Sequence, residues 1–166
     1  MATSAVYWLR GTGVVFDDSA GDVVLVLNNL ATTVGRVSVR YDRGAGALPR
    51  DHMVRLKVQF ATAPVVGETV QVYLSESDGT DEDGDVGAVS AALASVNVLP
   101  NLTYVGSLIV PNTSADTGMV ASFMTEIKLR YFSVVVYNAT ADNLRASANV
   151  SSVTVIPIYP DVQASA

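Results

Sequence analysis

Alternation of period two constrains this chain more than any other feature. Along residues 53–60, Val54, Leu56, Val58 and Phe60 fall on one side and Arg55, Lys57 and Gln59 on the other. Successive strand side chains point to opposite faces, so the run predicts a half-buried antiparallel strand. The same alternation recurs at Val37, Val39 and Tyr41 against Ser38, Arg40 and Asp42, and at Val70, Val72 and Leu74 against Gln71 and Tyr73. Each fully buried Val, Leu or Phe contributes about 1.5–3 kcal/mol, so a one-residue slip, which turns the whole row to water, is costly.

Residues 23–27, 104–110, 119–124, 132–137 and 153–158 are more uniformly apolar and predict central strands or strands covered on both faces. Residues 126–130 alternate on their own, with Ile127 and Leu129 between charges, and residues 14–16 add a short strand, for eight or nine strands in all. Spacers such as Asp17-Asp18-Ser19-Ala20-Gly21, Arg43-Gly44-Ala45-Gly46 and Pro111-Asn112-Thr113-Ser114 carry turn chemistry, and Gly11-Thr12-Gly13 also reads as a turn. Short strands separated by such turns predict an all-β fold, an antiparallel β-sandwich or barrel. One domain spans residues 1–166, with residues 1–20 available as an extended arm and residues 161–166 as a frayed tail. Residues 87–97 are Ala-rich, with Val89, Leu93 and Val96 at helical spacing, and predict one short helix.

The 166 residues are 49% hydrophobic and 16% charged, enough apolar surface for a core without metal or disulfide support. The absence of cysteine excludes thiolate metal sites and cysteine nucleophiles. The first ten residues show no basic segment followed by an apolar one, and no apolar run approaches the roughly 18 residues of a membrane-spanning helix, so neither a leader nor a membrane partner is expected. A net charge of -6 argues against a nucleic-acid partner, since that activity rests on neutralising phosphates.

For catalysis the chain offers a single histidine, His52, with no motif that supplies a nucleophile or an oxyanion donor, and the expectation is a non-enzyme without a cofactor. Asp78, Asp81, Asp83 and Asp85, in a glycine-bent loop, are the candidate calcium ligands. They do not fit an EF-hand, because Val86 stands where its glycine belongs and Ala92 where its bidentate glutamate belongs, so an exposed acidic loop without metal is the reading kept. Arg36, Arg40, Arg43, Arg50, Arg55 and Lys57 supply six of the ten basic residues from two strands taken as neighbours, a candidate interaction face. Sequons stand at Asn101, Asn112, Asn138 and Asn149. Tyr7, Trp8, Tyr73, Tyr104 and Tyr131 are available for a sugar-stacking platform.

The run 54–60, then Ala63-Pro64 and Gly67, then residues 70–75 leading into Ser77-Asp78-Gly79-Thr80-Asp81, resembles small virion structural proteins of tailed bacteriophages. Residues 102–108 and 130–138, and Pro157-Ile158-Tyr159-Pro160, continue that resemblance over about residues 53–161. It implies a jelly-roll subunit that decorates and cements the outer face of a phage head, commonly as a homotrimer. Its partners would be copies of itself and the major capsid protein or another virion protein, and its location the virion after synthesis in the host cytoplasm. The other reading is a carbohydrate-binding or host-surface-binding jelly-roll module of a phage fibre or similar assembly, using the aromatic residues above.

Overall fold

The strongest alternating row becomes a strand at the middle of a sheet. A computed structural model describes residues 5–46 and 48–163. In chain order the strands are β1 (Ala5–Arg10), β2 (Val14–Asp17), β3 (Val23–Val24), β4 (Val34–Val37), β5 (Tyr41–Asp42) and β6 (Asp51–Val58). They continue as β7 (Thr69–Ser77), β8 (Ala91–Ala92), β9 (Thr103–Ile109), β10 (Met119–Glu126), β11 (Tyr131–Asn138) and β12 (Ser152–Gln163). Three of these are two-residue pieces, which leaves nine of four residues or more.

The first sheet runs β10-β6-β12-β2-β3, with β1 on the far half of β12, and the second runs β8-β4-β11-β7-β9, with β5 on β11. Every pairing is antiparallel except β2 with β3. Val54, Leu56 and Val58 of β6, Val72 and Leu74 of β7, and Val134 and Val136 of β11 are fully buried between the sheets. Three rings brace one end of this core: Phe132 lies 5.7 Å from Phe16 and 5.6 Å from Tyr41, the latter edge-on. The fold is an antiparallel, jelly-roll β-sandwich.

A second, smaller cluster lies outside the sandwich. Val37 and Val135 point away from the main core and are covered by Leu99 and Leu102. The covering segment carries the helical turns found among the described residues, two 3-10 pieces at Asp83–Asp85 and Val96–Asn101. The short helix expected over residues 87–97 is therefore displaced. Ala91 and Ala92 pair with β4 instead, and the turn begins only where Ser95 accepts the Asn97 amide. Packing against a sheet edge overrides alanine's helix preference here.

Three other expectations are corrected. Residues 23–27 form a strand only at Val23 and Val24, although Leu25 and Leu27 are buried all the same. Residues 126–130 form a loop after Glu126, not a strand: Ile127 drops into the core while buried Glu76 accepts the Lys128 and Leu129 amides at 2.6 and 2.7 Å. Gly11-Thr12-Gly13 is no turn but an irregularity in one long pairing, since Arg10 opposes Ile158 and Val14 opposes Val155. That places three residues against two, and a Cβ at Gly11 would come within 2.7 Å of the Tyr159 ring. The first twenty residues thus contribute β1 and β2 to the pairing along β12. Asp17, at the end of β2, folds its carboxylate over the following loop and accepts the amides of Ser19, Ala20 and Gly21.

Candidate functional site

The outward face of the second sheet carries the best candidate. β7 and β9 pair so that Tyr73 stands directly opposite Tyr104, next to a register shift between Val72 and Tyr73. Opposed residues share a face, and the two rings meet edge to face at 5.3 Å and 63°. Tyr104 is 55% exposed. The 3-10 turn Val96–Asn101 forms a wall beside the rings, and Tyr73, Leu99, Pro100, Leu102 and Tyr104 enclose a shallow hollow of about 250 Å³.

Polar groups fix both rings. The Tyr73 hydroxyl donates to Gln71 Oε1 at 2.7 Å, and the Tyr104 hydroxyl shares a 2.5 Å hydrogen bond with Ser107 Oγ. Burial, and after it the neighbouring Tyr104 and Tyr137, push the Tyr73 phenol above its ordinary pKa, so it stays a neutral donor. The surface is an aromatic shelf edged by an amide and hydroxyls, with no charge among its lining residues.

A second concavity of about 280 Å³ opens between the sheets at one end, lined among others by Tyr41, Arg43, His52, Phe132 and Tyr159. Its two basic side chains are engaged by backbone carbonyls. Arg43 donates to the carbonyls of Ile127, Leu129 and Pro49. His52 is buried, with Nδ1 against the Arg50 carbonyl at 2.8 Å. Burial, opposed by that carbonyl, holds its imidazole below the usual pKa. Among the described residues no serine, threonine or carboxylate side chain hydrogen-bonds to His52, so no nucleophile and base are paired there.

The sequence-predicted residues are scattered by the topology. β4 belongs to the second sheet and β6 to the first, so the six basic residues do not form one face. Arg36 opposes inward-facing Val136 and points to the core side, and Arg40 lies over the Tyr131 ring at 5.4 Å. Arg43 is tied into the cleft, Arg50 is exposed beyond it, and Arg55 and Lys57 stand on the outer face of the other sheet. The error has a physical reason: consecutive jelly-roll strands cross between sheets, which alternation cannot show.

In the acidic loop, Asp78, Asp81 and Asp83 line one concavity with Glu76 and Glu82, and Asp85 is not part of it. The carboxylates serve as turn caps: Asp78 accepts the Thr80 and Asp81 amides, Asp83 the Glu76 amide and Glu82 the Gly87 amide. Among the described residues no three histidine or acidic side chains converge as a metal site. Of the aromatic set, Tyr73 and Tyr104 come together, Tyr131 stands apart beneath Arg40 and Arg130, Trp8 lies on the other sheet, and the Tyr7 side chain is outside the described residues. Asn138 is buried and donates to three carbonyls, which removes that sequon from the surface.

No family model matches the chain, and no curated protein matches it. Solved structures do. The chain is similar to a family 35 carbohydrate binding module from an environmental isolate, at 12% identity and a TM-score of 0.50, over 90% of this chain and 98% of that one. It is also similar to the C-terminal CBM6 of LamC, a marine laminarinase from Zobellia galactanivorans, at 12% identity and a TM-score of 0.46, over 87% and 98%. The shared property is the fold. Gln71, Ser107, Pro100 and Leu102 were not singled out in the sequence, and the only available signal was that Tyr73 shares its strand face with Gln71.

Proposed function

We propose that this chain is a non-catalytic carbohydrate-binding module that holds a neutral glycan on the Tyr73–Tyr104 shelf. One observation carries the reading: two tyrosines of different strands are brought ring to ring on an open face and held there by Gln71 and Ser107. Pyranose rings present apolar C–H faces and a rim of hydroxyls, and an aromatic surface edged by amide and hydroxyl groups complements both. The hollow is shallow and walled on one side, which suits the interior of a glycan chain better than a buried terminus. The likeness of the fold to a carbohydrate binding module supports the same choice. The decoration reading rested on the resemblance over residues 53–161, and the basic face offered beside it is divided between the two sheets.

A panel of neutral polysaccharides, followed by affinity electrophoresis and titration calorimetry, tests this. Tyr104→Ala should weaken the best ligand by about tenfold, equivalent to about 1.4 kcal/mol, while Tyr159→Ala in the cleft leaves it unchanged. Loss on Tyr159→Ala alone would move the site to the cleft. Stoichiometric binding to undecorated phage heads, with no response to any glycan, would replace the proposal by the decoration role.

A further inference from the structure

The outer face of the first sheet is open, and its side chains are ordered by kind. In-register pairing sets Glu126 of β10 beside Asp51 of β6, then Met124 beside Met53 and Ile156, then Ser122 beside Arg55 and Thr154, then Val120 beside Lys57 and Ser152. An acidic rank, an apolar rank and a basic rank therefore follow one another along the strands. Ile158 follows Asp51 across the first rank, next to Arg10 of β1, and with Trp8, Asp51 and Met124 it lines a hollow of about 350 Å³. Trp8 is 63% exposed and Met124 60%. Contiguous apolar surface of this kind, rimmed by charge, marks a contact site.

The charges say what covers it. Asp51 and Arg55 lie two residues either side of Met53, each about 7 Å from it along the strand. A two-fold axis along the Met53–Met124–Ile156 rank lays each β6 antiparallel over its copy. Apolar rank then meets apolar rank, and Asp51 of each copy faces Arg55 of the other, twice. We infer that this face is the isologous contact of a homodimer, its occupant a second copy of the same chain. A contact without two-fold symmetry matches these ranks at most once. The dimer leaves the second sheet, on the opposite side of the sandwich, uncovered.

Sedimentation of the full chain over a dilution series tests this, with emission from Trp8, its one tryptophan, read in parallel. A concentration-dependent dimer with blue-shifted emission is expected. Asp51→Arg and Arg55→Asp should each be monomeric, and an equimolar mixture of the two should recover the dimer, because opposite charges then meet at both contacts. The cysteine-free chain permits a second check that needs no charge variant. Under mild oxidation Met124→Cys should cross-link to itself and Val120→Cys, away from the axis, should not. A wild-type monomer at every concentration, an oligomer indifferent to both charge changes, a mixture that stays monomeric, or cross-linking without preference for residue 124 would each overturn the assignment. Capture of a different protein by this face, with no self-association, would do the same.

Discussion

His52 concentrates the chain's response to mild acid in one side chain. Its ring is buried, and burial is the largest cause that lowers its pKa, with the nearby Arg43 guanidinium acting in the same direction. In the unfolded chain the imidazole takes its proton at the ordinary value, so on acidification the unfolded state binds that proton before the folded state does. Stability is therefore full above the ordinary imidazole range and falls as pH drops through it, from about pH 7 towards about pH 5. The carboxylates held low, Asp42 by Arg130 and Asp78 by the Thr80 and Asp81 amides, lose their contribution only at lower pH. Because the chain has a single histidine, urea midpoints at the two ends of this window should differ in the wild type and coincide in His52→Asn. Asparagine keeps a donor for the Arg50 carbonyl and removes the titration. A variant that retained the full difference would place it elsewhere.

Between elements, the side of the sandwich closes where β9, at the edge of one sheet, lies against β10, at the edge of the other. Gly106 permits the approach, since a Cβ there would fall 2.3 Å from Phe123 Cδ1. Gly106→Ala should cost about 1–3 kcal/mol by overpacking. That lowers the thermal midpoint by about 2–4 °C per kcal/mol, and Phe123→Leu in the same chain should return part of it. Such a contact is invisible in the sequence, where Gly106 is merely a break in an apolar run. β6, β7, β11 and β12 were legible because their inward rows are uninterrupted. Residues 126–130 were misread because alternation reports only which side chains are buried, and a loop anchored by Glu76 and Arg43 buries Ile127 equally well. The aromatic shelf could be anticipated only as a supply of tyrosines. Tyr73 and Tyr104 meet through the β7–β9 register, and nothing in either strand alone states that pairing.

Across the molecule, the outer faces of the two sheets differ in chemistry. The first sheet presents charge and apolar surface suited to another protein surface, and the second presents neutral aromatic and hydroxyl groups suited to a sugar. Because the faces belong to opposite sheets, a dimer joined through the first carries two shelves on its far sides. On the proposed function, a single tyrosine shelf would bind a short oligosaccharide with its intrinsic affinity, whatever the state of assembly. On the same reading, a long, flexible glycan that passes round the dimer would reach both shelves, and the second contact would then be intramolecular, with a gain of about 10²–10⁴ over one site where the geometry permits both. Met124→Glu, which alters only the dimer face, should leave oligosaccharide affinity unchanged in calorimetry. The same change should shorten residence on an immobilised polysaccharide, measured by surface plasmon resonance. Equal residence for wild type and variant would mean that the shelves act singly, and lost oligosaccharide binding in the variant would mean that the two faces are not independent.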